Sequence, residues 1–308
     1  MITILMATYN GEKYLPGQID SILSQTVTSW QLIIQDDCST DGTLTIAQQY
    51  SRKYPGKIRV LKRDTPSGAA KNNFISMLSL VDTRYCMTCD QDDIWLPDKI
   101  HITLNKMLQL EKEHGKNTPL LVHTDLQVVD EHNNLISKSF FAYQKFDCRR
   151  DKLNHLLVQN IVTGCTIMVN RPLLDQAGQI PQNAIMHDWW LALVASVFGA
   201  IGFVPAATIL YRQHGNNAIG AKKANSSSYI IERLAKIAET AKAIRDTYKQ
   251  AEDLLAYYNK DLSDSKKEIC SIYISIKSHK KPVKLMLIHK HDFWRSGLVR
   301  KLGQILLM

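Results

Sequence analysis

The 308-residue chain predicts an α/β fold, a Rossmann-like doubly wound mixed sheet followed by a helical C-terminal extension. Three observations carry that expectation. Short apolar runs alternate with amphipathic helical patterns from the second residue. Two of those runs end in acidic clusters, Asp36-Asp37 and Asp90-Gln91-Asp92-Asp93. Charge and hydrophobic period both change beyond about residue 220, which divides the chain into a 1–220 unit and a 221–308 module.

Taken in order, Ile2 to Ala7 reads as a buried strand, Tyr14 to Gln25 as a helix with Ile19, Ile22 and Leu23 on one face, and Trp30 to Gln35 as a second strand. Asp41-Gly42-Thr43 opens a helix to about Tyr54, and Ile58 to Lys62 is a third strand, completing a βαβαβ unit. Gly68 to Leu80 is a helix, and Tyr85 to Cys89 the strand leading into the second acidic cluster. Pro97-Asp98 starts a helix to about His114. Leu120 to Val129, the short Cys165 to Val169 and Phe203 to Arg212 are further strands, with an apolar helix over His187 to Phe198. After Ser226-Ser227-Ser228, apolar residues from Ile230 through Leu234, Ile237, Ala241, Ile244, Tyr248, Ala251, Leu255 and Tyr258 to Leu262 recur in steps of four and three. That heptad seam predicts a helix over 230–262 that pairs with a second copy or docks on the catalytic unit, and self-association is the favoured of the two.

With 45% hydrophobic residues the chain can build a sizeable core. Its net charge of +9 is unevenly placed: residues 1–220 carry 20 Lys/Arg against 20 Asp/Glu, and residues 221–308 carry 18 against 9. Lys277 to Met308 hold eight basic residues against the single acid Asp292. Six unevenly spaced cysteines and the lack of an N-terminal signal pattern suggest a reducing, cytoplasmic setting. Cys86 and Cys89 lie three apart in a strand, so they point to opposite faces and cannot share a metal.

Carboxyl ends of parallel strands are where open α/β sheets bind ligands. Both acidic clusters fall there, and carboxylates that share a crevice repel unless a cation lies between them. The hard oxygens of Asp90-Gln91-Asp92 suit Mg²⁺ or Mn²⁺ bridging to a diphosphate. The first turn reads Ala7-Thr8-Tyr9-Asn10-Gly11, without the glycines that let backbone cradle a dinucleotide, and no Gly-Lys-Ser/Thr of a P-loop is present. Dehydrogenase and kinase readings weaken accordingly. A nucleotidyltransferase would carry a Gly-rich basic loop after its first strand, and that is missing too.

Together, Ala7-Thr8-Tyr9-Asn10, Asp36-Asp37-Cys38-Ser39-Thr40-Asp41-Gly42-Thr43, Asp90-Gln91-Asp92-Asp93 and His187-Asp188-Trp189-Trp190 resemble, in order and spacing over roughly 1–215, an inverting family-2 glycosyltransferase of the GT-A fold. The resemblance implies that Thr8 and Tyr9 line the nucleoside pocket, that Asp37 accepts from a pyrimidine N3–H, and that Gln91 contributes to the nucleotide-sugar site. Lys71, where the family commonly shows Arg, would meet the diphosphate or the base. Asp92 would hold Mn²⁺ or Mg²⁺, with Asp90 on the metal or the ribose and His214 as a third ligand. Asp188 would be the catalytic base, and Trp189, Trp190, Gly164 and Cys165 would meet the acceptor. Cys38 stands where glycine is usual.

Met186-His187-Asp188-Trp189-Trp190-Leu191-Ala192-Leu193 and Tyr211-Arg212-Gln213-His214-Gly215-Asn216-Asn217 further resemble rhamnosyltransferases of bacterial cell-wall and O-antigen polysaccharides. That similarity implies dTDP-β-L-rhamnose as donor and a lipid-linked glycan as acceptor at the inner face of the plasma membrane. The alternatives are another UDP- or dTDP-sugar or, in a different class, a catalytically silent membrane assembly subunit. Trp294, Leu298, Leu302, Ile305 and Leu306 share a helical face beside Arg295, Arg300 and Lys301, as in helices that lie in a membrane interface. Nucleic acid is not expected, because the basic residues lack interleaved stacking aromatics.

Overall fold

The structure, a computed structural model, describes residues 1–214 and 237–307. The chain runs β1 (Ile2–Thr8), α1 (Leu15–Leu23), β2 (Trp30–Asp36), α2 (Thr43–Lys53), β3 (Ile58–Lys62), α3 (Ala70–Leu78) and β4 (Tyr85–Asp90). It continues through β5 (Ile94–Trp95), α4 (Lys99–His114), β6 (Leu120–Val129), β7 (Leu135–Ser137), α5 (Phe140–Gln144) and α6 (Leu153–Leu156). A single turn of tight helix at Gly164–Thr166 precedes β8 (Met168–Asn170), α7 (Arg171–Ala177), α8 (His187–Phe198) and β9 (Ala200–Arg212). Four C-terminal helices follow: α9 (Ile237–Tyr257), α10 (Asp264–Ser275), α11 (Lys281–Lys290) and α12 (Leu298–Leu307).

The strands form one mixed sheet in the order β3-β2-β1-β4-β8-β6-β9-β5, with β7 paired to β6. β3, β2, β1 and β4 are parallel neighbours, whereas β8 runs antiparallel to both β4 and β6. Both faces of the sheet are covered, which is why its strands read as continuous apolar runs. Successive side chains of β1 feed opposite cores: Ile4 and Met6 pack with Ile19, Ile22 and Met107, while Leu5 packs with Phe74, Met77 and Trp190. Cys86 and Cys89 likewise enter opposite cores, as their spacing predicts.

The predicted strand from Cys165 to Val169 begins later than expected. Thr166 bonds its hydroxyl back to the carbonyl of Thr163 at 2.7 Å, a local bond that competes with a ladder, so pairing starts only at Met168.

α8 is apolar on all sides because it is covered on all sides. Its outer face lies under α9 and the turn after it: Trp190 stacks on Tyr258 at 6.3 Å between ring centroids and meets Tyr257 edge-on at 6.5 Å. Trp190 is fully buried and therefore a core residue, which corrects its assignment to the acceptor. Ile244, Tyr248, Ala251, Leu254, Tyr258 and Leu262 join the same core as Leu5 and Trp190, followed by Cys270, Tyr273, Ile276, Ile288 and Phe293. Of the predicted seam, Ile230 and Leu234 lie outside the described residues, as does the boundary near Gly220. From Ile244 to Leu262 the described seam packs on its own chain, which takes away most of the ground for preferring self-association, while Ile237 is 48% exposed. The helix ends at Tyr257 rather than 262, and Asp264 opens the next one.

Candidate active site

The register of the parallel strands brings the candidate residues together. Thr8 pairs with Asp36, and Ala7 with Asp90, so the carboxyl ends of β1, β2 and β4 open at one edge of the sheet. There a cleft of about 880 Å³ is lined by Thr8, Tyr9, Asp37, Asp90, Gln91, Asp92, Gly164, Asp188 and Trp189, with Tyr211, Arg295 and Arg300 completing its wall.

At the first acidic pair the two carboxylates differ in role. Asp36 is fully buried and accepts from Thr8 Oγ1 at 3.1 Å, Ser39 N at 3.0 Å and Ser39 Oγ at 2.6 Å, which fixes the turn after β2. Asp37 faces the cleft and accepts from Ser67 N and Ser67 Oγ, each at 2.6 Å, with Arg63 Nε at 3.4 Å. A carboxylate has about four lone-pair directions, so capacity remains for a base N–H. Cys38 adopts φ 62°, the left-handed region that a glycine takes without strain, so the departure from glycine noted in the sequence is a strained turn. Tyr9 is 56% exposed with its ring at the cleft. Its backbone N donates to Gln91 Oε1 at 2.9 Å and its carbonyl accepts from Gln91 Nε2 at 2.8 Å, so Gln91 locks the β1 loop to the β4 loop. A Cβ on Gly11 would fall 2.3 Å from the Gln91 amide, which explains the glycine beside this clamp.

The second cluster is crowded with like charge. Burial, with Asp92 and Asp188 nearby, pushes the Asp90 carboxyl up to about 7. Burial, Asp92 and Asp90 raise Asp93 well above the usual range, although the Arg212 N–H opposes the shift at 3.2 Å. Asp93 Oδ2 is buried and has no hydrogen-bond partner among the described residues. Asp90, Asp93 and Cys165 offer ligand atoms within 4.8 Å of one another. His214 Nε2 lies 2.8 Å from Asp92 Oδ2, and its ring stacks on Tyr14 at 4.7 Å. Hard carboxylate oxygens that repel one another, with an imidazole already beside them, fit a divalent cation. Asp90 belongs to the group whose ligand atoms lie together, and Asp92 with His214 stands beside it as the further candidate ligands.

Cys165, expected at the acceptor, is buried beneath Asp90 and Asp93 instead, because the tight turn at Gly164–Thr166 directs it inward. Lys99 also lies there, a residue the sequence reading missed. Its ammonium is fully buried, 4.7 Å from the Trp95 ring centroid and without a hydrogen-bond partner among the described residues, and burial lowers its pKa to about 8 against the opposing pull of Cys165, Cys89 and Asp93. A lysine in the first turn of an amphipathic helix reads as solvent-facing. Only the fold shows it to be a positive charge under the acids.

Asp188 enters from α8 and is 6% exposed. Burial pushes its carboxyl up to about 6, opposed by hydrogen bonds from the Trp189 and Gly164 N–H groups and from the Asn160 side chain. It lies in the first turn of α8 and accepts from Trp189 N at 2.7 Å while lining the cleft. A Cβ on Gly164 would come within 3.5 Å of Asp188 Oδ2 and 3.3 Å of His187 Nε2. Trp189 lines the cleft too, its indole N–H donating to the Leu156 carbonyl at 2.6 Å. Lys71 is not brought to the cleft: its ammonium donates to the carbonyls of Ala184 at 2.6 Å and Gln182 at 3.1 Å.

Residues 3–173, more than half of the chain, match the family described as Glycosyl transferase family 2. The chain belongs to that family. As a family 2 glycosyltransferase it is an inverting enzyme of polysaccharide biosynthesis that takes a nucleotide-sugar donor, and the family commonly uses a divalent metal. It is similar to the dTDP-rhamnosyl transferase RfbG of Shigella flexneri, 28% identical over 235 residues that cover 73% of this chain and 76% of RfbG. The fold is GT-A. Among solved structures it resembles S. aureus TarS 1–349 in complex with UDP-GlcNAc, with a TM-score of 0.58, 17% identity, and 94% of this chain and 80% of that one covered. It also resembles the mannosyltransferase PcManGT of Pyrobaculum calidifontis in complex with GDP-Man and Mn²⁺, with a TM-score of 0.54, 14% identity and coverage of 99% and 78%.

For this glycosyltransferase, Asp92→Asn should abolish metal-dependent turnover while leaving the unfolding midpoint near that of the wild type. Retention of transfer within about tenfold, only about 1.4 kcal/mol of barrier, would show that Asp92 does not hold the cation.

Proposed function

We propose that the enzyme transfers L-rhamnose from dTDP-β-L-rhamnose, with inversion, to a hydroxyl of a lipid-linked polysaccharide precursor. The single observation that carries the transferase chemistry is the enclosure of Asp188 in the same cleft as the Asp90-Gln91-Asp92 cluster. The donor sugar rests on the similarity to RfbG and on the His187-to-Trp190 and Tyr211-to-His214 segments.

In a single displacement, the acceptor oxygen bonds to C1 of the sugar as the bond from C1 to the diphosphate oxygen breaks, and that oxygen departs with the electron pair. A divalent cation held by Asp90, Asp92 and His214 would supply positive charge to the leaving diphosphate. Asp188 takes the proton of the attacking hydroxyl. The hydrogen bonds from Gly164, Trp189 and Asn160 fix its carboxylate. In this reading Tyr9 stacks on the base and Asp37 accepts from its N3–H, and both line the cleft. Trp189 and Gly164 line the acceptor side.

The donor is tested by melting the full chain with dTDP, UDP and GDP in the presence of Mn²⁺ or Mg²⁺, then assaying the matching nucleotide sugars. A ligand that binds only the native state raises the melting temperature. The dTDP arm should give the largest rise, and dTDP-β-L-rhamnose should turn over to an α-linked product. A larger rise with UDP and turnover of a UDP-sugar would move the assignment to another donor.

Asp188→Asn keeps shape and hydrogen bonding but removes the proton acceptor. Nucleotide binding should survive while kcat falls by roughly 10² to 10⁴. Because the Asp188 carboxyl is raised to about 6, wild-type kcat at saturating metal should decline as pH drops through about 6 and level off above it. Equal loss of donor affinity and rate in Asp188→Asn would mark the residue as only a helix cap.

Association with an anionic membrane surface fits the exposed face of the tail. On α12, Leu298, Leu302 and Leu306 are 67%, 51% and 71% exposed in one stripe, beside the exposed Lys301. Val283 and Met286 of α11 are exposed near Lys280, Lys281 and Lys290. Truncation is a poor test, because Ile288 and Phe293 are fully buried core residues. Replacing Leu298, Leu302 and Leu306 together with Gln leaves that core intact. Wild-type protein should float with anionic vesicles, and salt should weaken this without abolishing it, each basic residue contributing about 1 kcal/mol. The triple variant should lose flotation, and equal flotation would clear α12 of the role.

A further inference from the structure

The cleft is bipolar. Its acidic lining consists of Asp37, Asp90, Asp92 and Asp188, and the arginines in its wall, Arg295 and Arg300, both come from the C-terminal segment. Their position can be traced through contacts. The Arg300 guanidinium lies 5.0 Å from the Phe146 ring centroid, Phe146 meets Phe140 edge-on at 5.8 Å, and Phe140 meets Tyr211 at 6.0 Å. Three rings therefore stand between Arg300 and the carboxylates around Tyr211. Arg295 precedes Ser296, whose N–H donates to Gln159 Oε1 at 2.7 Å; the next residue, Asn160, bonds Asp188. Arg295 is thus neighboured by the Ser296–Gln159 bond beside the Asn160 that holds Asp188, and Arg300 lines the same cleft beyond Phe146 and Phe140.

The segment is held there firmly. Arg150 donates to the carbonyl of Trp294 at 2.5 Å and to that of Asp292 at 3.2 Å, and His155 Nε2 lies 2.8 Å from Asp292 Oδ2. Gln304, buried on α12, donates to the Phe293 carbonyl at 2.7 Å and accepts from Arg295 N at 3.0 Å. Arg300 donates to the Gln144 carbonyl at 2.6 Å and also to the Gln144 side chain.

We propose that Arg295 and Arg300 form an acceptor subsite that reads an oxyanion on the acceptor, either the phosphate that links it to its carrier or a carboxylate on its sugar. The inference rests on the reading that Asp188 activates an acceptor hydroxyl in this cleft. A guanidinium fork matches the paired oxygens of phosphate or carboxylate, and an enclosed, ring-walled site strengthens that attraction relative to water. α12 carries Arg300 toward the cleft while Leu298, Leu302 and Leu306 face outward, so an anion read by Arg300 would sit beside an apolar surface suited to the chain that bears it.

The test uses the full chain with saturating Mn²⁺ and donor, and three acceptors with the same sugar skeleton and alkyl tail: an uncharged glycoside, a glycosyl diphosphate and a uronic acid glycoside. Wild-type kcat/KM should favour at least one charged acceptor over the uncharged one by about tenfold or more. Arg295→Gln and Arg300→Gln should each reduce that ratio severalfold, and the charged acceptor that loses its advantage identifies the source of the oxyanion. Arg300→Lys, which keeps charge but not the fork, provides a second variant should Arg300→Gln fold poorly. The proposal falls if the wild type does not discriminate, if the arginine variants retain the ratio, or if they weaken nucleoside diphosphate binding equally, which would assign the arginines to the donor. Should no sugar be transferred in any arm, the transferase reading has failed instead, and direct binding of the glycosyl diphosphate to wild type and variants still decides the subsite.

Discussion

Like charge confined at the ends of three parallel strands is the constraint on which this molecule turns. Asp90, Asp92, Asp93 and Asp188 converge because the register of β1, β2 and β4 opens their carboxyl ends together and α8 delivers the fourth carboxyl across the gap. Two unit charges about 4 Å apart cost on the order of 4 kcal/mol at an effective dielectric near 20, more than most single side-chain contacts contribute to stability. Such a cluster must bind protons or a cation, or be balanced from within. The raised carboxyls of Asp90 and Asp93 are the first response, and the buried ammonium of Lys99 is the last. His214 beside Asp92 prepares for the second. A cation would make protonation of Asp90 unnecessary at neutral pH, which is why the acidic cluster and the metal belong to one argument.

Much of this was legible in the sequence, for a physical reason. A sheet buried on both faces demands apolar strands whose ends must be marked by polar residues, so Trp30 to Gln35 and Tyr85 to Cys89 announce themselves, and the aspartates that follow them are placed at the ligand edge before any coordinates are known. Asp37, Asp92 and His214 stand where the spacing and the resemblance put them. What escaped was whatever depends on the third dimension alone. Trp189 and Trp190 are neighbours in sequence, yet one lines the cleft and the other is sealed under Tyr258, because α8 rotates successive side chains by about 100° and is covered on its far side. Cys165 differs from Gly164 in the same way. Lys99 sits in a first helical turn where lysine is ordinarily solvated, and nothing local distinguishes it.

The C-terminal segment shows the converse ambiguity. A periodic apolar seam says that a helix buries one face but not against what. From Ile244 to Leu262 the partners belong to its own chain: Tyr248 meets Tyr273 of α10 and Tyr258 stacks on Trp190 of α8, so the helices that follow the catalytic unit complete its core instead of standing apart from it. That has a functional corollary. Asp188 lies in the first turn of α8, and α8 is clamped between the sheet and α9, so the position of the candidate base depends on C-terminal packing more than fifty residues away in sequence.

α12 inverts the usual arrangement of an amphipathic helix on a globular protein. Gln304 is buried and Arg300 lines the cleft, whereas the leucines at 298, 302 and 306 face outward. Packing alone would select the opposite orientation, since three exposed leucines forgo apolar burial of about 1.5–3 kcal/mol each. The orientation is held by specific polar contacts, Arg300 to Gln144 and Gln304 to Phe293 and Arg295, and by the anchoring of the preceding turn to Arg150 and His155. A helix kept by hydrogen bonds with its apolar side toward the outside is suited to two neighbours at once, a charged substrate within and a lipid surface without. A lipid-linked anion would present both chemistries in one molecule, and under the proposed acceptor subsite it would tie the basic, apolar tail to the same reaction as the acidic cluster.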